Sequence, residues 1–239
     1  MRILVGTSGY AYKEWRGSFY PEKIREKDML RYYAERLRAV EINNTFYRLP
    51  GKETLLRWAE QVGEDFTFVL KASQRITHRQ KLAPESAETV AYLFETASAL
   101  GERLGPVLFQ TPPFLQKDVA RLEAFLAALP PQRSVAFEFR HETWFDEEVY
   151  AALRARNAAL VAADTDAAPE ALSPVPTADW GYVRLRRSRY DDALLAAWGE
   201  RICAQPWRQA YVFFKHEDAA PLAWDAVERF ARRFDAPPS

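Results

Sequence analysis

The chain reads Val135-Ala136-Phe137-Glu138-Phe139-Arg140 near its middle, and this stretch is the clearest indication of the fold. Its first, third and fifth residues are large and apolar, whereas the even positions end in Glu138 and Arg140, as in a β-strand whose two faces have different surroundings. Amphipathic segments of helical length lie on either side, at Val119–Leu129 and Glu147–Arg156. A strand between two helices is typical of parallel βαβ units, so the stretch predicts an α/β fold.

The alternation of strand and helix continues outward in both directions. The candidate strands are Ile3–Ser8, Val40–Asn43, Phe66–Ala72, Val107–Thr111, Val135–Arg140, Leu160–Asp164, Tyr182–Arg186 and Tyr211–Lys215. The other candidate helices are Met29–Arg38, Glu53–Val62, Ala87–Leu100, Asp191–Ala204 and Leu222–Phe234. Eight such strands in 239 residues predict a TIM-type (β/α)8 barrel that forms one domain over residues 1–239. A doubly wound sheet is the alternative, but Gly6-Thr7-Ser8-Gly9 lacks the third glycine of a dinucleotide-binding turn.

Two connections depart from a regular barrel. Between the sixth and seventh strands, three prolines in Ala167–Pro176 allow at most a short helical turn, so one crossover helix is expected to be missing. The first connection, from Gly9 to Asp28, is long and rich in aromatic residues. It predicts either a wall or lid of a functional site or a small satellite hydrophobic cluster.

Composition excludes several classes of protein. The 33 Lys and Arg residues balance the 33 Asp and Glu residues, which argues against a globally basic nucleic-acid binder but not against a local basic patch. The single cysteine, Cys203, cannot form an intrachain disulfide or a zinc-thiolate site on its own. No apolar run approaches the roughly 18 residues of a membrane helix, and the N-terminus lacks a secretory apolar region. We therefore expect a cytoplasmic protein without membrane contact.

The polar faces of the strands predict where a site would lie. The apolar faces of barrel strands must meet the helices, so the opposite faces look toward the axis. The predicted inward residues, all at or near the C-terminal ends of strands, are Glu41, Asn43, Lys71, Gln110, Glu138, Arg140, Asp164, Arg184, Arg186 and Lys215. Burial of unpaired charges is costly, so this set predicts either a polar binding site at the mouth of the barrel or a self-satisfied ion-pair network. The bases outnumber the acids, which favours an anionic ligand carrying phosphate or carboxylate.

Other residue types allow less specific predictions. His78, His141 and His216 all follow strand ends, where they could transfer protons or simply cap loops. No metal or other cofactor is predicted: a divalent metal is conceivable among the acids and His141, but no known ligand spacing is present and the arginines disfavour a cation. Lys71 or Lys215 could form a Schiff base, although phosphate binding is the commoner role of such a lysine. Arg187 and Arg189 are predicted to lie on the surface.

Several motifs in order resemble a known family. They are Trp15 with Phe19-Tyr20-Pro21, Glu41-Ile42-Asn43-Asn44-Thr45-Phe46-Tyr47, Trp58, Lys71, Thr77-His78, Gln110-Thr111-Pro112-Pro113, Glu138-Phe139-Arg140-His141 with Trp144, and Arg184. Over nearly its whole length the chain resembles the YecE-like family, also called domain of unknown function 72. The resemblance implies a TIM-type barrel but no reaction. It also implies a shared pocket of Glu41, Asn43, Lys71, His78, Gln110, Glu138, Arg140, His141 and Arg184. Many members have His-Gly at Arg186-Arg187 and an Asn-rich segment at Lys215–Asp218, so no substrate preference is carried over from those loops.

The resulting hypothesis is an enzyme of unassigned reaction (a hydrolase, lyase or isomerase) acting on a small anionic or phosphorylated substrate that can contain a sugar. Glu138 or Asp164 would be the base, and Lys71 or His141 the proton donor. The expected substrate-binding residues are Trp15, Glu41, Asn43, Tyr47, His78, Gln110, Arg140, Arg184, Arg186 and Lys215. One alternative is a nucleic-acid binding or processing protein that stacks bases on aromatic residues such as Trp15 and Tyr47. Another is a non-catalytic ligand-binding barrel.

Overall fold

A closed barrel of eight parallel strands forms the centre of the molecule. The computed structural model describes residues 1–166, 173–215 and 220–234. The strands are β1 (Arg2–Ser8), β2 (Ala39–Ile42), β3 (Thr67–Lys71), β4 (Leu104–Gln110), β5 (Val135–Glu138), β6 (Ala159–Asp164), β7 (Trp180–Leu185) and β8 (Gln209–Phe214). Each strand pairs with the next, and β8 returns to β1. The predicted (β/α)8 barrel is therefore confirmed.

Helices surround the strands. They are α1 (Glu26–Ala34), α2 (Lys52–Ala59), α3 (Ala87–Ala97), α4 (Val119–Ala128), α5 (Glu147–Ala155), α6 (Asp192–Cys203) and α7 (Ala220–Phe234). Aspartates cap three of them: Asp118, Asp146 and Asp191 each accept a hydrogen bond from a backbone N–H in the first turn. None of the helices in the described part of the chain is both long and apolar enough to span a bilayer.

The crossover between β6 and β7 differs from the others. Residues 165–166 and 173–179 contain no helix, and the rest of the predicted helix-free segment, 167–172, lies outside the described residues. Strand β5 is shorter than predicted, since its last residue is Glu138, which pairs with Gln110 of β4. Arg140 therefore lies in the following loop, and its side chain is exposed.

Side chains fill the lower part of the barrel. Small residues such as Ala39 and Ala136 lie in the interior with large ones such as Tyr182 and Phe213. At Gly6 a Cβ atom would lie 2.1 Å from the carbonyl oxygen of Ala39, so only glycine fits between these two strands. Two residues beyond the apolar layer, the same inward faces carry polar side chains. The polar side chains at the mouth of the barrel therefore lie directly on the packed apolar interior.

Candidate functional site

A buried ionic cluster lies at the mouth of the barrel. Arg184 donates from Nη2 to Oε1 of Glu41 at 2.7 Å and from Nη1 to Oε2 of Glu138 at 2.5 Å. All three residues are buried, with 2%, 0% and 3% of their surface exposed. Further hydrogen bonds to Glu41 come from the hydroxyls of Tyr182 (2.6 Å) and Ser8 (2.8 Å). Alternation along β2, β5 and β7 brings Glu41, Glu138 and Arg184 together, as predicted.

The cluster keeps both carboxylates ionised. Burial raises the pKa of Glu138, but the charges of Arg184, Arg140 and Arg186 outweigh this effect and lower it to about 2. Burial likewise opposes ionisation of Glu41, whose pKa is lowered by Arg184 and by its hydrogen bonds from Tyr182 and Ser8. A carboxylate with so low a pKa is a weak general base at neutral pH. Glu138 is thus better suited to orienting Arg184 than to accepting a proton.

Lys71, unlike the two carboxylates, has a pKa near neutral pH. It lies at the end of β3, where Nζ donates to Oε1 of Gln110 at 2.9 Å and lies 4.2 Å from the centre of the Phe46 ring. Burial and the nearby charge of Arg184 lower the pKa of Lys71 to about 8, although Glu138 and Glu41 act against this. An ammonium group with this pKa can exchange a proton near neutral pH, which an ordinary lysine cannot do efficiently.

A cavity of about 300 Å³ opens above the cluster. Its lining consists of Ser8, Tyr12, Asn43, Asn44, Phe46, Tyr47, Lys71, Gln110, Arg184, Arg186 and Lys215. Nε2 of Gln110 and Nε of Arg184 are buried beneath it and make no well-aligned hydrogen bond to a described residue, although the Gln110 amide lies close enough to Glu138 to lower the pKa of that carboxyl group. The lining combines basic side chains with amide and hydroxyl groups.

Asp164 does not belong to this cavity. In β6, Val161 faces the barrel interior while Leu160 and Ala162 face the helices, and alternation places Asp164 on the helix side. Its carboxylate accepts hydrogen bonds from Arg187 Nε at 2.6 Å, Tyr190 at 3.1 Å and Trp198 Nε1 at 2.9 Å. The prediction that Asp164 points inward is wrong, and so is the treatment of Arg187 as a surface residue.

Two other predicted site residues, Trp15 and His141, have structural roles. Trp15 is 1% exposed and packs against Tyr12, Phe19 and Tyr20, so its predicted contact with substrate is contradicted. His141 accepts a hydrogen bond from the backbone N–H of Thr143 and caps a short 3₁₀-helix, Glu142–Trp144. His141 therefore has the loop-capping role that the sequence analysis gave as an alternative. It is not among the described residues that line the cavity.

The remaining predicted residues lie at or near the rim. Tyr47 lines the cavity and is 73% exposed. His78 contacts Phe46, with ring centres 5.0 Å apart, and burial together with Lys71 and Arg140 lowers its pKa. Arg140 donates from Nε to Glu138 at 3.3 Å. His216 and the rest of the segment after Lys215 lie outside the described residues up to 219.

The corrected position of Asp164 leaves fewer acids among the described residues of the site. The carboxylates of Glu41 and Glu138 lie there with the basic side chains of Lys71, Arg140, Arg184 and Arg186, whereas Lys215 is followed in the sequence by Glu217 and Asp218, which lie outside the described residues. Arg186 makes no side-chain hydrogen bond or salt bridge to any described residue, and its pKa is lowered by burial and by the charge of Arg184. A cluster of like charges in a partly buried cavity favours an anionic occupant.

Sequence reasoning missed three residues that contact the cluster or line the space above it: Ser8, Asn44 and Tyr182. Alternation along β1 and β7 contained the signal for Ser8 and Tyr182. Tyr12 and Phe46 also line the cavity, and the sequence singled them out only as aromatic residues that could stack bases in the nucleic-acid alternative. No group of three or more His, Cys, Asp or Glu side chains suited to a metal ion occurs in the described residues.

Comparison with known proteins places the chain in a family. The model of "Protein of unknown function DUF72" matches residues 4–238. The chain belongs to the DUF72 family. The UPF0759 protein YecE of Escherichia coli K12 is 34% identical over 117 residues, which cover 48% of this chain and 43% of the relative. The UPF0759 protein YunF of Bacillus subtilis 168 is 28% identical over 159 residues, covering 62% and 54%. The chain thus spans about half the length of these curated relatives.

Solved DUF72 structures share the barrel. A DUF72 protein from Thermotoga maritima MSB8 superposes with a TM-score of 0.85 at 26% identity, covering 99% of this chain and 100% of the other. One from Enterococcus faecalis V583 gives a TM-score of 0.80 at 19% identity, covering 99% and 97%. A xylose isomerase-like TIM barrel/4-hydroxyphenylpyruvate dioxygenase fusion protein gives 0.57 at 14% identity, with 95% of this chain and 41% of that chain covered. The last two likenesses concern the fold alone.

Proposed function

We propose that the protein is an enzyme that binds a small anionic substrate, bearing phosphate or carboxylate, in the cavity at the mouth of the barrel. The observation that carries the proposal is the group of basic side chains that line this cavity. Lys71, Arg184 and Arg186 all line it, and Arg186 makes no side-chain hydrogen bond or salt bridge to a described residue. A guanidinium group without such a partner is suited to binding an oxyanion, which accepts charge-assisted hydrogen bonds.

In this proposal the ionic cluster holds the anion site in place. Glu41 and Glu138 together fix the plane of Arg184, so that its Nε faces a defined direction. The buried carboxylates also limit the positive potential, which lets several bases lie close together without a ligand. Arg186 and Lys215 then contribute charge from the loops, where their side chains can adapt to the shape of the anion.

Lys71 is the group we assign to proton transfer. Its pKa of about 8 lies close to physiological pH, whereas the pKa of Glu138 is about 2. General acid–base catalysis is most efficient when the pKa of the group lies near the working pH. Glu138, the base in one of the sequence-based alternatives, becomes a positioning residue that orients Arg184.

Phosphate binding tests the anion site. Titration calorimetry with inorganic phosphate should give binding by the wild type, and Arg186→Gln should weaken it about tenfold, the typical worth of a charge-assisted hydrogen bond. Arg189→Gln is the matched control, since Arg189 is exposed on the same loop and does not line the cavity. Equal affinities for all three proteins would contradict the proposal.

Turnover tests the enzyme assignment. A panel of phosphomonoesters and small phosphocarboxylates can be followed by phosphorus and proton NMR. Lys71→Met should bind phosphate about tenfold more weakly, because it lacks the Lys71 charge, and it should fail to convert any compound even at concentrations that saturate the variant. Conversion unaffected by Lys71→Met would remove Lys71 from the reaction. Binding of phosphate without conversion of any compound would support the non-catalytic barrel instead.

A further inference from the structure

A second cavity adjoins the proposed anion site. It has a volume of about 250 Å³ and is lined by Gly9, Tyr10, Ala11, Tyr12, Ile42, Asn43, Asn44, Pro50 and Trp58. Tyr12, Asn43 and Asn44 also line the anion cavity, so the two spaces meet at these residues. Within the part of the chain that the structure describes, no charged side chain lines the second cavity, in contrast to the first.

Two of the residues shared by the two cavities, Tyr12 and Asn43, are connected to the buried ionic cluster. The hydroxyl of Tyr12 donates to the carbonyl oxygen of Ser8, and the Ser8 hydroxyl donates to Glu41 at 2.8 Å. Asn43 Nδ2 donates to the same carboxylate oxygen at 3.0 Å. Gly9 allows Tyr12 to fold back in this way, because its φ is +104° and a Cβ atom would lie 2.5 Å from the Tyr12 hydroxyl. The spacing between the two cavities is therefore set by the fold.

The walls of the second cavity suit a flat apolar group. Tyr10 and Trp58 meet edge to face with ring centres 6.4 Å apart, and Pro50 and Ile42 add further apolar surface. Two of the polar groups in this lining, the Tyr12 hydroxyl and the Asn43 amide nitrogen, are already engaged with Ser8 and Glu41. The Tyr10 hydroxyl, the Trp58 indole N–H and the Asn44 amide are fewer than the hydroxyls of a sugar require. A sugar would therefore lose more hydrogen bonds to water than it regains in this space, whereas an aromatic ring would not.

We propose that the substrate has two parts, an anionic group bound by Lys71 and Arg186 and an aromatic ring bound against Tyr10, Tyr12 and Trp58. This inference rests on the proposed function, because it takes the first cavity as the anion site. It narrows the substrate class to aromatic compounds that carry a phosphate or carboxylate.

Three phosphomonoesters of equal charge test the ring site. By titration calorimetry, phenyl phosphate should bind the wild type about tenfold more tightly than methyl phosphate, with glucose 6-phosphate no tighter than methyl phosphate. Ala11→Leu should fill the second cavity and bring phenyl and methyl phosphate to within about twofold of each other, since Ala11 is an exposed residue of its lining. Ala127→Leu, the same change at an exposed position of α4, should leave the preference intact.

The outcomes separate the two proposals. Suppose that Arg186→Gln weakens the binding of methyl phosphate but the wild type does not prefer phenyl phosphate. That result would overturn the ring site and would leave the anion site supported. The ring site would also be overturned if the preference survived Ala11→Leu or if glucose 6-phosphate bound most tightly. Failure of all three esters to bind would overturn both proposals.

Discussion

Arg184 shows how single side chains determine the site. A guanidinium group buried to 98% of its surface is tolerated only because two carboxylates and the barrel wall satisfy most of its donors. The sequence predicted that Glu41, Glu138 and Arg184 face one another, because each follows a small or aromatic inward residue on a strand with clear alternation. It could not predict which hydrogen bonds form, since these depend on side-chain rotamers.

Asp164 is the residue for which alternation failed. The segment Leu160-Val161-Ala162-Ala163-Asp164 is apolar on both faces, so a period of two offers no contrast from which to choose the inward side. The partners that hold Asp164, Arg187, Tyr190 and Trp198, come from the following loop and α6. Their approach depends on tertiary packing and leaves no local pattern in the sequence.

Replacement of Asp164 tests this corrected placement. Asp164→Asn should lower the free energy of unfolding by about 2 kcal/mol, because a neutral amide satisfies three buried donors poorly. Urea denaturation measures this change. Phosphate affinity should stay within about twofold of the wild type, because Asp164 lies on the helix side of β6. Lost phosphate binding at unchanged stability would return Asp164 to the site.

At the level of elements, the loop after β1 combines the two alternatives that its sequence left open. Trp15, Phe19 and Tyr20 form a hydrophobic cluster with α1, as a satellite core would. Tyr10 and Tyr12 line the two cavities. The aromatic content of the loop could not distinguish these roles, because buried and lining aromatics have the same composition.

Gly9 is the residue on which the shape of this loop depends. Gly9→Ala should destabilise the protein by about 1–3 kcal/mol, because an alanine at φ +104° is strained and its Cβ would overlap the Tyr12 ring. Thermal unfolding measures the loss. Gly51→Ala is the matched control, with φ −67° and open space around the glycine. It should lower stability by no more than about 0.5 kcal/mol, because the lower entropy of the unfolded chain offsets the poorer N-cap that alanine gives α2. Equal unfolding temperatures of the two variants would show that the position of the Tyr12 ring does not depend on a glycine at position 9.

At the level of the whole molecule, the barrel could be predicted from the order of strands and helices, and the meeting of Glu41, Glu138 and Arg184 at its mouth from the charges at strand ends. The aromatic loop after β1 was predicted as a possible wall. The second cavity and the contact of Tyr12 with Ser8 could not be predicted, because they result from how separate segments meet in space.

The buried carboxylates make the stability of the barrel depend on pH. The pKa of Glu138 falls from an ordinary 4.5 to about 2 on folding, so its contribution is complete above about pH 5 and is lost as pH falls toward 2. The free energy of unfolding of Glu138→Gln, measured by urea denaturation from pH 2 to 7, should therefore fall less steeply below pH 5 than that of the wild type. Glu142→Gln, which removes an exposed glutamate nearby, should follow the wild type. Identical slopes for all three proteins would show that Glu138 is not held ionised by the cluster.

The central claim is that a cationic cavity containing Lys71 binds anions. Sulfate is the most direct probe, because its own charge does not change between pH 6 and 10. Its affinity for the wild type, measured by calorimetry at constant ionic strength, should fall about tenfold as pH rises through 8, where Lys71 loses its proton. Lys71→Arg should bind sulfate with an affinity that stays constant over this range, because arginine remains charged. Sulfate affinity of the wild type that is independent of pH, or absent throughout, would contradict the claim.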